Sequence, residues 1–416
     1  MILPGASLGI LGGGQLGRMF VMAARSMGYA VVVLDPEPDC PAAQWANRHI
    51  QASYTDHDAL ERLASECAAI TTEFENVPAS SLNYLAGMRP VSPSGAALAV
   101  TQDRIREKNF LKSHGLATAP YAVVEHRQAL GEALQQVATP ALMKLSRAGY
   151  DGKGQRWLCN LAEAEKAFDE LGGTPCILEA GVDIQTEISV LIARAVDGRV
   201  AVYPPSENCH REGILDVSIA PARVSPEIGE HARQITIRIA ELLGYCGVMA
   251  VEFFIAQDGR LLVNEIAPRP HNSGHYTLDA CHTSQFEQQV RVLCGLMLGD
   301  ATLLGPAVMV NLLGDLWRED QAPPWDQVLN HPRAKLHLYG KHEERPGRKM
   351  GHFTYLGESV EEALTQARAI QYALTGGEPS PVREHGRADT SPKSMELAAA
   401  DEMPYLPIIT DTLCKP

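Results

Sequence analysis

A chain of 416 residues exceeds what one small core needs and implies two or three domains. With 45% apolar and 21% charged residues it reads as globular, and no apolar run approaches the roughly 18 residues of a membrane span. A net charge of −14 argues against a nucleic-acid or anionic-membrane binder, yet allows a small anionic substrate at a local basic cluster, because screening acts within about 8–10 Å.

In chain order, Ser7–Leu11 reads as an apolar strand, Leu16–Met27 as a helix, Ala30–Leu34 as a β-branched strand ending at Asp35, and Ala68–Thr72 as a strand followed by Glu73. This β-α-β rhythm predicts a doubly wound parallel sheet whose ligands sit at the carboxyl ends of its strands. Gly12–Gly17, Asp35 and Glu73 all fall there. Gly12-Gly13-Gly14-Gln15-Leu16-Gly17 fits G-x-G-x-x-G, with Asp35 placed 18 residues beyond Gly17. Taken alone, that motif points to a dinucleotide-dependent oxidoreductase. Its physical content is narrower: close backbone approach and helix amides that attract any phosphate.

A charged helix, TQDRIREKNFLKSHGL, opens a second segment at Thr101. The strand Ala141–Leu145 carries Lys144 and leads into Ser146–Gln155, where three glycines with Arg147 and Lys153 make an anion-clasping loop without the GK[ST] of a Walker A motif. Cys176–Leu178 runs into Glu179-Ala180-Gly181-Val182, a strand-to-loop hinge whose backbone suits adenine, and Glu187 follows as a ribose-binding acid.

Gly247–Ile255 and Arg260–Ile266 flank Gln257-Asp258-Gly259 and predict a hairpin. A two-residue turn sets Glu252 directly opposite Glu265; a four-residue loop makes them diagonal neighbours on the same face. Two such acids in apolar strands need a proton on one of them, a salt-bridge partner or solvent for each, or a cation between them, and a divalent metal explains both at once. With Asn264 beside them and no paired His or Cys, hard oxygen ligands point to Mg²⁺, with Mn²⁺ as the alternative. Arg269, stiffened by Pro268 and Pro270, heads a loop running through His271, Asn272, Ser273 and Gly274. A strand-rich third segment starts near Ala307, and composition changes again from Gly376. The expected divisions are 1–100, 101–300, 301–375 and an irregular tail over 376–416. The N-terminus has no basic leader, and the nine scattered cysteines include no CxxC pair. Free thiols and a cytoplasmic location are therefore expected.

Lys144, the glycine loop, the EAGV hinge, Glu187, Glu252 and Asn264-Glu265 resemble the nucleotide site of the ATP-grasp superfamily. GGGQLGRM, TEFENVP, KLSRAGYDGKGQ, GVMAVEFF, NEIAPRPHNSGH and RPGRKMGH resemble the 5-(carboxyamino)imidazole ribonucleotide synthetase family, over about residues 7–370. That resemblance implies an ATP-grasp fold with an N-terminal doubly wound parallel-sheet domain and a small C-terminal β-rich domain. It implies carboxylation of aminoimidazole ribonucleotide by bicarbonate with cleavage of ATP, through carboxyphosphate, in a homodimer.

By resemblance, Arg104, Lys144, Gly149, Tyr150, Asp151, Gly152, Lys153, Gly154 and Gln155 hold the ATP phosphates. Glu179, Ala180, Gly181, Val182, Glu187 and His210 complete the nucleotide site, beside Asn264. Glu252 and Glu265 resemble the metal ligands. Arg269, His271 and Asn272 face bicarbonate, Asp151 orients the substrate amine or acts as its base, and Arg348 and Lys349 reach back into the cleft. Gly14, Gln15 and Leu16 take the ribose phosphate, with Asp35 and Glu73 near the ribose or base. Lys153 stands where relatives often carry arginine, which keeps the charge and loses the planar fork. Other ATP-grasp ligases, such as a formate-dependent transformylase or a biotin carboxylase, are the alternative.

Overall fold

The first four strands, β1 (Ser7–Leu11), β2 (Ala30–Asp35), β3 (Arg48–Gln51) and β4 (Ala69–Thr72), form a parallel sheet in the order β3-β2-β1-β4. The computed structural model describes residues 1–147, 149, 154–317 and 322–376. Helices cover both faces, and successive strand residues alternate between them. Leu8, Ile10, Val31 and Val33 pack with α1 (Gln15–Ser26), while Leu11, Val32 and Leu34 pack with α2 (His57–Glu66). Two-sided burial explains why the strands read as continuous apolar runs. Two further helices, α3 (Ala79–Ala86) and α4 (Gly95–Thr101), lead out of this sheet.

The charged helix begins at Arg104, as α5 (Arg104–Ser113), because Asp103 caps it by accepting from the Ile105 and Arg106 amides. A four-stranded antiparallel sheet follows: β5 (Tyr121–Val124), β6 (Ala141–Leu145), β7 (Gln155–Leu158) and β8 (Cys176–Ala180), in the order β5-β8-β6-β7. The helices α6 (Leu130–Val137) and α7 (Leu161–Glu170) share its core.

The third sheet has nine strands. It contains β9 (Ile184–Arg194), β10 (Val200–Val202), β11 (Ser206–Arg211), β12 (Ile214–Ala220), β13 (Gly247–Ala256) and β14 (Leu261–Ala267). The helix α8 (Pro226–Leu242) packs on its apolar face. After α9 (Thr277–Ala280) and α10 (Gln285–Leu293), the chain adds β15 (Ala307–Leu313), α11 (Asp326–Leu329), β16 (Ala334–Leu338), β17 (Lys349–Leu356) and α12 (Val360–Thr375).

Two long-range pairings join these units. The C-terminal strands extend the large sheet rather than closing on themselves, because β15 pairs with β12 in the register Val217↔Val310. Phe286, Val290 and Leu293 of α10 pack into the α1 core of the N-terminal sheet. Among the described residues, Cys40, Cys67, Cys176, Cys209, Cys246, Cys281 and Cys294 are free thiols, as expected. The tail beyond Gly376 lies outside the described residues.

Candidate active site

The turn between β1 and α1 is built around Glu73. Its carboxylate accepts from the Gly14 amide at 2.5 Å and the Gly17 amide at 2.6 Å. Gly12 has a φ of +102°, and a Cβ on it would lie 2.3 Å from the Glu73 side chain, so glycine is required there. Burial pushes the Glu73 acid up to about 7, against the pull of the two amides. A protein carboxylate therefore holds part of the anion site that the motif offers to a phosphate. Gln15 and Leu16 remain in the first turn, where a helix leaves amides without intrahelical acceptors. Asp35 is turned inward: it accepts from the Gly13 amide at 2.7 Å, the Glu37 amide at 2.8 Å and the Tyr54 hydroxyl at 2.6 Å. Its place is to fasten the glycine turn to the end of β2.

In the nucleotide cleft, Lys144 donates to Glu179 at 2.7 Å, and the Lys108 ammonium lies 3.4 Å from the other Glu179 oxygen. Burial works to raise the Glu179 acid, but the two lysines outweigh it and hold it down at about 2. Lys108 also donates to Thr118 and to the Asn264 carbonyl, each at 2.8 Å. With Glu107 it was missed in the sequence, although both are only 1% exposed and lie one helical turn from buried Leu111. That spacing is the signal that was available. Arg104 donates to Glu265 at 2.8 Å and to the Gly149 carbonyl at 3.4 Å. The Ala180 and Gly181 amides donate to Pro120 and Pro140 carbonyls. Glu187 lies 3.0 Å from His210. Tyr150, Asp151, Gly152 and Lys153 lie outside the described residues, whereas Gly154 and Gln155 are placed, with Gln155 opposite Lys144.

The carboxylate hairpin meets its expected pairing by an unexpected route. Ala256 pairs with Arg260, so the loop has three residues, 257–259, rather than two or four. That odd count would place Glu252 opposite Asn264 and send Glu265 to the other face. A bulge at Asn264 absorbs one residue, and the register beyond it reads Glu252↔Glu265. The two acids take partners from different elements: Glu265 the Arg104 guanidinium, and Glu252 the His271 ring, whose Nε2 lies 3.0 Å away. The Asn264 Oδ1 is buried with no hydrogen-bond partner. Two facing carboxylates and an orphaned oxygen fit a hard divalent cation completed by phosphate oxygens. Among the described residues no group of three or more His, Cys, Asp or Glu side chains forms a ready-made metal cage.

In the loop after β14, Arg269 pairs with Glu75. Burial alone would raise the Glu75 acid; Arg269 outweighs it and brings it to about 2. Asn272 exchanges two hydrogen bonds, 3.1 and 3.0 Å, with Asn311 on β15, which the sequence reading also missed. Lys349, the first residue of β17, lies near enough for its charge to favour the ionised form of Glu252. Arg348 donates to the Glu343 carbonyl at 2.9 Å. Lys341, unremarked in the sequence, favours ionised Glu73 and donates to the Lys349 carbonyl at 2.7 Å.

A lysine-bearing strand, a two-carboxylate hairpin and a preceding parallel sheet define an ATP-grasp enzyme. Family models agree: residues 6–102 match the ribonucleotide synthetase preATP-grasp domain, 109–286 the ATP-grasp domain, and 307–366 the phosphoribosylaminoimidazole carboxylase C-terminal domain. The N5-carboxyaminoimidazole ribonucleotide synthase of Bacillus subtilis is 45% identical, over 88% of this chain and 95% of its own length. That of Brucella melitensis is 46% identical, over 84% and 96%. The crystal structure of an ADP complex of an N5-carboxyaminoimidazole ribonucleotide synthetase superposes with a TM-score of 0.83 at 42% identity, covering 89% of this chain and 97% of that one. The Aspergillus clavatus enzyme, in complex with ADP and 5-aminoimidazole ribonucleotide, gives a TM-score of 0.81 at 29% identity, covering 88% and 97%. The chain belongs to the N5-carboxyaminoimidazole ribonucleotide synthetase family of ATP-grasp ligases.

Proposed function

We propose that the protein carboxylates 5-aminoimidazole ribonucleotide with bicarbonate at the expense of ATP, releasing ADP and phosphate, in purine biosynthesis. The observation that carries this reading is the Glu252–Glu265 pair beside the orphaned Asn264 Oδ1, opening directly onto the Arg269–Asn272 loop. Mg²⁺ bound there would neutralise phosphate charge and draw the γ-phosphate toward attack; Mn²⁺ suits the same oxygens. Glu252 and Glu265 are the residues that would hold it.

Arg104 and Lys144 release their carboxylate partners to take up ATP phosphates, which the flap over 149–155 covers. Adenine pairing falls to Val182 and to the carbonyls of Ala180 and Gly181, since the latter two amides are already committed. Glu179, Glu187 and His210 line the ribose side. Bicarbonate is a poor electrophile, and its attack on the γ-phosphate gives carboxyphosphate. Arg269 neutralises the two anions and His271 helps to orient them, with Lys349 reaching in from β17. Asn272 serves by holding its loop to β15, because its amide is occupied by Asn311. Closure keeps water from carboxyphosphate until the substrate amine captures the carboxyl group, and Asp151 orients that amine or acts as its base. Gln15 and Leu16 meet the ribose phosphate next to Gly14, Glu73 lies near the ribose, and Asp35 supports the turn. The divisions at 100/101, 300/301 and 375/376, a homodimer and a cytoplasmic location belong to the same reading.

The test is ADP release from the purified protein with ATP, aminoimidazole ribonucleotide and either bicarbonate or formate. Turnover is expected with bicarbonate and Mg²⁺ and is abolished by EDTA. Turnover that ignores bicarbonate, or that uses formate instead, would overturn the assignment.

A further inference from the structure

His271 has a partner at each of its four polar atoms. Its backbone amide donates to Gln285 Oε1 at 2.8 Å, and its carbonyl accepts from Gln285 Nε2 at 2.8 Å. Its Nδ1 accepts the Ser273 amide at 3.3 Å and lies 2.8 Å from the Ser273 hydroxyl. Only Nε2 faces the site, 3.0 Å from Glu252 Oε1.

Behind the ring, Ser273 Oγ lies 2.6 Å from Ser189 Oγ, which lies 3.0 Å from Ser206 Oγ. Strand register explains the line: Glu252 on β13 is directly opposite Ser189 on β9, which is directly opposite Ser206 on β11. Residues so paired share a face. All three serines are 0% exposed, so each hydroxyl depends on its neighbours.

Proton count then fixes the direction. An Nδ1 that accepts a backbone N–H carries no proton, so the ring proton is on Nε2 and points at Glu252. The Ser273 hydroxyl must donate to Nδ1, hence accepts from Ser189, which accepts from Ser206. We infer that Ser206, Ser189 and Ser273 form a one-way hydroxyl chain that fixes His271 as a donor to Glu252, making Ser189 a positioning residue. Its part in turnover rests on the function proposed above; the ring assignment does not.

The experiment is ¹⁵N NMR of the histidine rings in the full-length protein, with the His271 signals identified by their loss in His271→Asn. The wild-type ring is expected to show an unprotonated Nδ1 and a protonated Nε2. Ser189→Ala is expected to shift the Nδ1 signal toward a mixture of tautomers and to lower kcat about tenfold, as loss of an outer support of a metal ligand does. The KM values for ATP and aminoimidazole ribonucleotide stay within about twofold. Ser189→Thr, which keeps the hydroxyl, restores both the signal and kcat. A wild-type ring protonated on Nδ1 overturns the proposal without any substitution, and so does a folded Ser189→Ala with unchanged ring signals and kcat. A wild-type protein that lacks bicarbonate-dependent turnover counts against the reaction alone and leaves the ring assignment to the spectra.

Discussion

Glu73 and Glu75 stand two residues apart beyond the end of β4, and their surroundings drive them in opposite directions. Glu73 is held by the amides of Gly14 and Gly17, which are dipoles without net charge, and burial wins: its acid rises to about 7. Glu75 is only partly buried and faces the Arg269 guanidinium, and the ion pair wins: its acid falls to about 2. Backbone dipoles shape a site, whereas a full opposite charge is what keeps a buried acid ionised. The same division separates the glycine turn from the carboxylate hairpin, where Arg104 supplies Glu265 with a cation from another element. That cation can change partner when phosphate and metal arrive; the amides of the turn cannot.

The largest effect is expected at the hairpin. Glu265→Gln should lower ADP formation on the order of a thousandfold, with the circular dichroism spectrum and Tm close to wild type. Near-normal turnover would show that the charge at Glu265 is not what that site uses. Next comes Glu75→Gln, which strands Arg269 and should cost about 2–4 kcal/mol in denaturant unfolding; about a fifth of each side chain is exposed, so the cost falls short of that for a fully buried pair. The double variant with Arg269→Met should recover most of the loss. A single-variant cost below about 1 kcal/mol would mean the pair is solvent-screened like a surface bridge.

Glu73 gives a smaller effect with a definite sign. Its folded acid is raised above the ordinary value, so its contribution to stability is complete below about pH 4.5 and is lost as pH rises through about 7. Between pH 5 and 8 the wild-type protein should lose up to a few kcal/mol on this account, and Glu73→Gln should flatten that slope. An unchanged slope in the variant would mean that the amides, and not burial, dominate at Glu73. The smallest change in binding is expected from Asp151→Ala: carboxylation of the imidazole falls while the Kd for ATP holds within about twofold. Loss of ATP affinity alone would remove Asp151 from the amine's side of the cleft.

Much of this was legible in the chain. Alternation and turn residues placed β1, β2, β4, β6, β13 and β14 within a residue or two, because each is a local pattern of burial. The motifs around Lys144, Glu252, Glu265 and Arg269 carried the family and hence the chemistry. The glycine turn, read alone, pointed to a dinucleotide, since glycines report close backbone approach and not what approaches. The partner in this structure is Glu73, a residue of the protein itself.

Sequence by itself therefore determined the elements, the carboxylate pair and the family. Tertiary structure alone decided how the pair is made: the three-residue loop breaks the parity, and the bulge at Asn264 restores it. It also decided that Asn272 belongs to Asn311, that Lys108 is buried against Glu179, and that β15 continues the sheet of β12. These are choices of partner across distant parts of the chain. They depend on which strands end up adjacent and in what register, and a local pattern of side chains contains neither.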